Sequence, residues 1–140
     1  ALLAALETEG PASGICAFTE EVVVSNGTTE LAFRDPMSFQ LARSLVVSDP
    51  LAAGGLGELA CANGQLWASI GGSTRMARID IVTGEVIASV DLSDVGPSAA
   101  DLASGSSTIS GLAHRPATDT FFVAGDGWDT VVEVRLVNAG

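Results

Sequence analysis

The chain has 140 residues, of which 47% are apolar and 16% are charged, and its 17 acidic and 6 basic residues give a net charge of -11. The acidic excess excludes a protein that binds nucleic acid by neutralising phosphates, and the apolar content excludes a disordered chain. No run of about 18 apolar residues occurs, so we expect no membrane span. The composition indicates one folded domain, 1–140, that is long enough to bury a sizeable core.

Residues 1–10 are rich in Ala and Leu, which allows either a short helix or a β-strand, and propensity alone does not decide between them. The two cysteines, Cys16 and Cys61, match no metal-ligand spacing and lie in apolar, strand-like runs. This context favours two buried thiols over a disulfide.

An internal repeat of about 45 residues organises the rest of the chain. Three short apolar runs begin at Gly14, Glu58 and Gly111, and the strand-like segments that follow the first two end at Asp35 and Asp80. The wider spacing before the third unit is explained by a polar insertion at 93–108, rich in Ser, Gly and Asp.

The second unit shows the strand pattern most clearly. Turn signals at Asn63–Gly64, Gly71–Gly72 and Thr83–Gly84 separate short apolar segments, and these predict strands at 58–62, 65–70, 75–81 and 85–92. Four antiparallel strands in about 45 residues are typical of a propeller blade. The predicted fold is therefore all-β, a partial β-propeller with blades at approximately 11–48, 56–93 and 109–137, the last without its fourth strand.

Three blades are fewer than the four to eight that close a propeller ring. Open sheet edges pair readily with other strands, so we expect binding to other protein chains through the blade edges, or self-association. The chain would then be a fragment, a part of a larger assembly or an oligomer. If residues 1–10 form a strand, it belongs to a preceding blade.

Several runs, in order along the chain, resemble the plant and bacterial glutaminyl cyclases. These runs are Leu66–Ile70, Arg75–Asp80, Thr83–Val86, Gly111–Ala113, Pro116–Asp119 and Glu133–Val137. The resemblance covers nearly the whole chain but only the C-terminal part of that family. It implies a five-bladed propeller, usually secreted or in an organelle lumen, with an acyltransferase activity that converts N-terminal glutamine to pyroglutamate and releases ammonia.

The resemblance also locates a pocket on the innermost strands, where this sequence departs from the family pattern. Five positions at which the family carries two indoles, two amides and a cation hold other residues here, namely Ser13, Gly57, Gly71, Ser110 and Asp126. The departures predict a catalytically inactive relative that serves as a structural or interaction subunit. The alternative is an active cyclotransferase whose missing N-terminal blades are supplied from elsewhere.

Two carboxylates match family positions, Glu58 and Glu9, and either is a weak candidate for a catalytic base. Solvated carboxylates are the simpler interpretation of both. A binding propeller of the lectin type would need aromatic side chains at its rim, for which Phe18, Phe39 and Trp128 are the candidates.

The remaining candidates favour structural roles. His114 is the only histidine, and we expect a hydrogen-bonded structural residue rather than a triad with Ser110 and Asp119 or Asp101. The acidic residues Asp119, Asp126 and Asp129 do not form a calcium loop, and the glycines of Gly54–Gly57 lack the surroundings of a phosphate loop. We therefore predict no metal and no cofactor.

Overall fold

The computed structural model describes residues 2–6, 8, 10–93 and 108–137. These residues form three antiparallel sheets joined in chain order. The first sheet contains β1 (Gly14–Ala17), β2 (Val22–Ser25), β3 (Glu30–Arg34) and β4 (Leu41–Val46). The second contains β5 (Leu56–Ala62), β6 (Gln65–Ile70), β7 (Arg75–Ile79) and β8 (Val86–Asp91). The third contains β9 (Ile109–Arg115), β10 (Thr120–Gly125) and β11 (Val132–Val134).

The all-β expectation is confirmed, with sheets of four, four and three strands and no α-helix in the described ranges. A 3-10 turn at Pro50–Ala52 links the first two sheets. The described residues among 1–10 form neither the helix nor the strand that their composition allows. Most of the predicted insertion at 93–108 lies outside the described residues. No helix in the described part is long and apolar enough to cross a membrane.

Four strand ends in the second sheet differ from the predicted ones, both ends of β8 by one residue and one end each of β5 and β7 by two. β5 begins at Leu56, two residues before the predicted start. A β-bulge between Leu56 and Leu59 lets the strand continue its pairing with β6 as far as Leu56, which lies opposite Ile70. β7 ends at Ile79, because the carboxylate of Asp80 accepts hydrogen bonds from the backbone N–H groups of Val82 (2.8 Å) and Thr83 (3.0 Å). These bonds start the turn two residues earlier than the apolar run suggests.

Two hydrophobic clusters hold the sheets together. Side chains alternate between the two faces of a strand, so each sheet can direct one apolar face toward a neighbour. The cluster between the first and second sheets includes Val23, Leu31, Phe33, Leu56 and Leu66. The cluster between the second and third sheets includes Trp67, Met76, Ile109, Phe121 and Val123.

The interpretation of Cys16 and Cys61 as two buried thiols is wrong. They form a disulfide between β1 and β5, with their Cα atoms 5.6 Å apart. The two positions are 45 residues apart, which is the length of the repeat. A repeat places equivalent residues at equivalent positions of neighbouring sheets, so the two cysteines meet where β1 and β5 lie side by side.

Backbone contacts fix how the three sheets meet. Gly14 in β1 lies against the backbone of Gly57 in β5 so closely that a Cβ at Gly14 would overlap the Gly57 carbonyl. The backbone N–H of Leu56 donates to the carbonyl of Thr28 at 2.9 Å, and that of Ile109 donates to Ser73 at 3.4 Å. The first strands of the three sheets, β1, β5 and β9, are thereby held next to one another at the same end.

Candidate functional site

The five positions at which the resemblance leads us to expect the pocket lie at one end of the sheets. Ser13, Gly57 and Ser110 lie at or near the starts of β1, β5 and β9, and Gly71 and Asp126 directly follow β6 and β10. In an antiparallel pair, the start of one strand and the end of the next share an edge. We call these five residues the rim.

Hydroxyl groups occupy the space around Gly57. Its carbonyl oxygen accepts a hydrogen bond from the hydroxyl of buried Ser25. The hydroxyl of Ser69 accepts a bond from the backbone N–H of Glu58 at 2.8 Å, and a Cβ at Gly57 would lie 2.9 Å from that oxygen. The backbone groups at this place are therefore satisfied by two serines, and a larger side chain at Gly57 would displace Ser69.

Asp126 is fixed by Thr108, which precedes β9. Its carboxylate accepts a hydrogen bond from the Thr108 hydroxyl at 2.9 Å, and its backbone N–H donates to the Thr108 carbonyl at 3.0 Å. The side chain is exposed. The rim therefore carries a negative charge where the resemblance implies a cation.

Glu58 directly follows Gly57 of the rim, and the pKa of its carboxyl group is shifted. Burial raises the pKa of its carboxyl group above the ordinary glutamate value, because a partly desolvated carboxylate is less stable in its charged form. Within the described residues the carboxylate has no hydrogen bond or ion pair. A carboxyl group of this kind can exchange a proton closer to neutral pH than an exposed one. The other candidate base, Glu9, lies outside the described residues.

His114 has the hydrogen-bonded structural environment predicted from the sequence. Its Nε2 lies 2.8 Å from Oδ1 of Asp119, and its ring packs against Phe121 at 5.1 Å between centroids. Asn63 also donates to that Asp119 oxygen at 2.9 Å. These bonds from His114 and Asn63 lower the pKa of Asp119.

The structure does not assemble a catalytic triad around His114. Ser110 precedes His114 by four residues in β9, which separates them by about 13 Å at the rise of a β-strand. The other proposed partner, Asp101, lies outside the described residues. In the described part of the chain, no three His, Cys, Asp or Glu side chains come together in a way that could hold a metal ion.

The glycines of Gly54–Gly57 serve close backbone packing. A Cβ at Gly54 would overlap the carbonyl of Gly71, and one at Gly55 would overlap that of Gly27. The Gly55 contact joins the first and second sheets, whereas the Gly54 contact lies within the second sheet, and both bring backbone against backbone where a phosphate loop would need open space.

Sequence reasoning missed a polar cavity between the second and third sheets. The cavity has a volume of about 150 Å³, and Arg78 and Asp119 both line it. One signal for a polar site was present in the sequence, namely Arg78. It lies two residues after buried Met76, so a charged side chain occupies an apolar face of β7. Its neighbours in the third sheet could not be inferred from spacing.

The comparisons with known proteins agree with the resemblance. The family model described as glutamine cyclotransferase matches residues 3–136. The crystal structure of Myxococcus xanthus glutaminyl cyclase superimposes with a TM-score of 0.72 at 30% sequence identity, covering 91% of this chain and 56% of that one. The chain thus spans little more than half of that enzyme, and no curated protein matches it. The chain belongs to the glutamine cyclotransferase family.

Proposed function

We propose that this chain is a non-catalytic member of the family and acts as a structural or interaction subunit. The observation that carries the proposal is the composition of the rim, where Ser13, Gly57, Gly71, Ser110 and Asp126 offer no indole, side-chain amide or cation. The resemblance implies that these groups form the pocket of the active enzymes.

The cyclotransferase reaction makes specific demands on such a pocket. The α-amine nitrogen of an N-terminal glutamine forms a bond to its γ-carbonyl carbon, and the bond from that carbon to the amide nitrogen breaks. A proton moves from the attacking nitrogen to the leaving one, which departs as ammonia. The step needs a carboxylate to move the proton and donors to stabilise the oxyanion that develops on the carbonyl oxygen.

The rim is poorly suited to that oxyanion. Loss of a single oxyanion donor lowers a rate by about 10²- to 10³-fold, and here several donor positions are replaced together. The carboxylate of Asp126 would in addition repel the developing negative charge. These effects act in the same direction and support an inactive pocket.

A second candidate function is an active cyclotransferase that uses Glu58 as its base. One observation favours it, namely the raised pKa of the partly buried Glu58 carboxyl group at the start of β5. This candidate requires oxyanion donors from a part of the protein outside this chain. It predicts a rate that rises with pH as Glu58 loses its proton.

A turnover assay separates the two candidates. The protein isolated from its source, with any segments or partners that accompany this chain there, is incubated with a peptide that begins with glutamine, ammonia release is followed, and Myxococcus xanthus glutaminyl cyclase serves as the positive control. We expect ammonia release at the spontaneous rate. Faster release that is abolished in Glu58→Gln but kept in Glu85→Gln, a matched change at an exposed turn residue, would establish the second candidate.

The interaction role is supported by apolar side chains on the first sheet and its loops. Ile15 is 60% exposed, Val46 is 57% exposed and Met37 is 94% exposed. Self-association is the form of this role that the chain alone can test. Light scattering after size exclusion should give a multiple of 14.1 kDa, and a monomer at high concentration would contradict self-association.

We also propose that the protein works outside the cytoplasm or in an organelle lumen. The Cys16–Cys61 disulfide supports this compartment, because such bonds persist in oxidising environments. Labelling of free thiols in protein isolated from its source should leave both cysteines unmodified. Labelling of both without prior reduction would contradict the proposal.

A further inference from the structure

The polar cavity between the second and third sheets lies away from the rim. It opens beside two hairpin turns, one between β5 and β6 and one between β9 and β10. Its lining consists of Ala62, Asn63, Gln65, Trp67, Arg78, Asp119, Phe121 and Leu136. The rings of Trp67 and Phe121 meet edge to face at 5.9 Å and form its apolar side.

Arg78 is a cation without a partner in this cavity. It lies opposite Trp67 across the β6–β7 pair, and its Nε is buried and makes no hydrogen bond. The guanidinium group has no ion pair or cation–π contact within the described residues. A buried donor that is left unpaired costs free energy, so a ligand that accepts from it gains affinity.

Asp119 supplies the opposite charge. One of its carboxylate oxygens accepts from both Asn63 and His114, which holds the side chain at the mouth of the cavity. The other oxygen has no partner among the described residues. Although Arg78 and Asp119 line the same cavity, no direct ion pair joins them, so the cavity separates a positive group from a negative one.

We propose that this cavity binds a small zwitterion of the α-amino acid class. The carboxylate of the ligand would accept hydrogen bonds from Arg78, and its ammonium group would donate to the free oxygen of Asp119. A volume of about 150 Å³ holds about five water-sized groups, which corresponds to glycine or a slightly larger amino acid. The walls of Trp67 and Phe121 would exclude water from the short apolar part of the ligand.

The test is an NMR titration of the isotope-labelled chain with glycine, following the indole N–H of Trp67 and the backbone of Asn63. We expect saturable shifts at both places. Acetate lacks the ammonium group and methylamine lacks the carboxylate, so each should bind about tenfold more weakly or worse.

Two variants identify the charged groups. Arg78→Gln should weaken glycine binding about tenfold or more. Arg75→Gln is the matched control, since Arg75 lies in the same strand, pairs with Asp91 at 3.6 Å and does not line the cavity. Asp119→Asn should weaken the binding of glycine but not that of acetate.

Three results would overturn the proposal. The first is the absence of saturable shifts with glycine, and the second is acetate binding as tightly as glycine. The third is unchanged glycine affinity in Arg78→Gln or in Asp119→Asn. Circular dichroism of each variant checks that the sheets are retained. Arg78 and Asp119 belong to different sheets, so if one variant does not fold, the other still tests whether glycine binds in the cavity.

Discussion

The two contacts between neighbouring sheets are built from the same repeat but differ in how tightly they are closed. Between the first and second sheets, the Cys16–Cys61 disulfide, the Ser25–Gly57 hydrogen bond and a cluster of fully buried side chains seal the contact. Between the second and third sheets, aromatic rings meet edge to face and leave a polar cavity. The same sheet arrangement thus gives one closed contact and one that contains a cavity.

A single pair of equivalent positions accounts for much of the difference. Phe33 in β3 and Arg78 in β7 each lie two residues before a turn aspartate, Asp35 or Asp80. Phe33 is fully buried, and the guanidinium of Arg43 covers its ring at 3.7 Å from the centroid. An aromatic ring at this position closes the contact between sheets, whereas an arginine leaves space and a charge.

Removal of the disulfide should have the largest effect on the closed contact. Replacing both Cys16 and Cys61 by Ala releases a crosslink over 45 residues, which should lower the free energy of unfolding by about 4 kcal/mol. Urea unfolding of the variant and of the parent, with and without reductant, measures the loss. The variant should not respond to reductant, and a parent that unfolds at the same urea concentration in both conditions would contradict the crosslink.

The Ser25 hydroxyl should contribute less. Ser25→Ala leaves the partly buried Gly57 carbonyl without this donor, which should cost about 1–3 kcal/mol. Ser44→Ala, at an exposed position of β4, is the control and should change stability by less than about 0.5 kcal/mol. Equal effects of the two substitutions would show that the Ser25 bond does not join the sheets.

Arg78→Phe should convert the open contact into a closed one. Filling the cavity with a ring, as Phe33 does in the first sheet, should raise the free energy of unfolding by about 0.5–2 kcal/mol and abolish glycine binding. Thermal unfolding together with the glycine titration measures both effects. A less stable variant would mean that the two positions are not interchangeable.

The smallest effect concerns acid stability at the open contact. Hydrogen bonds from His114 and Asn63 lower the pKa of Asp119 in the folded chain. The resulting stabilisation is fully present above the pKa of an unfolded aspartate, about 3.9, and is lost as the pH falls through the lower folded value. Asp119→Asn should therefore flatten the fall in stability below about pH 4, and an unchanged slope would contradict this role.

Local signals in the sequence were sufficient for the strands but not for the contacts between sheets. The second unit has turn residues at fixed places, so its four strands were predicted to within two residues at each end. The disulfide was missed because apolar context around a cysteine says nothing about which strand lies beside it. Its signal was the separation of 45 residues, which equals the repeat length.

The candidate sites, too, could be predicted from the sequence only in part. The resemblance predicts that Ser13, Gly57 and Ser110 gather on the innermost strands, and in the structure they lie at or near the starts of β1, β5 and β9. The cavity with Arg78 and Asp119 could not be predicted, since its two charges come from different sheets at unrelated positions of the repeat. Asp119 was considered for a triad and for calcium, and its observed partners are His114 and Asn63.

The central claim is that the rim no longer supports cyclotransferase chemistry, and product formation tests it most directly. A peptide beginning with glutamine is incubated with the protein isolated from its source, which keeps any segments or partners that accompany the chain, and pyroglutamate is quantified by mass spectrometry beside a buffer control and the Myxococcus xanthus enzyme. The account predicts the same pyroglutamate yield with the chain as in buffer. Formation above that level that depends on the Glu58 carboxylate would contradict it.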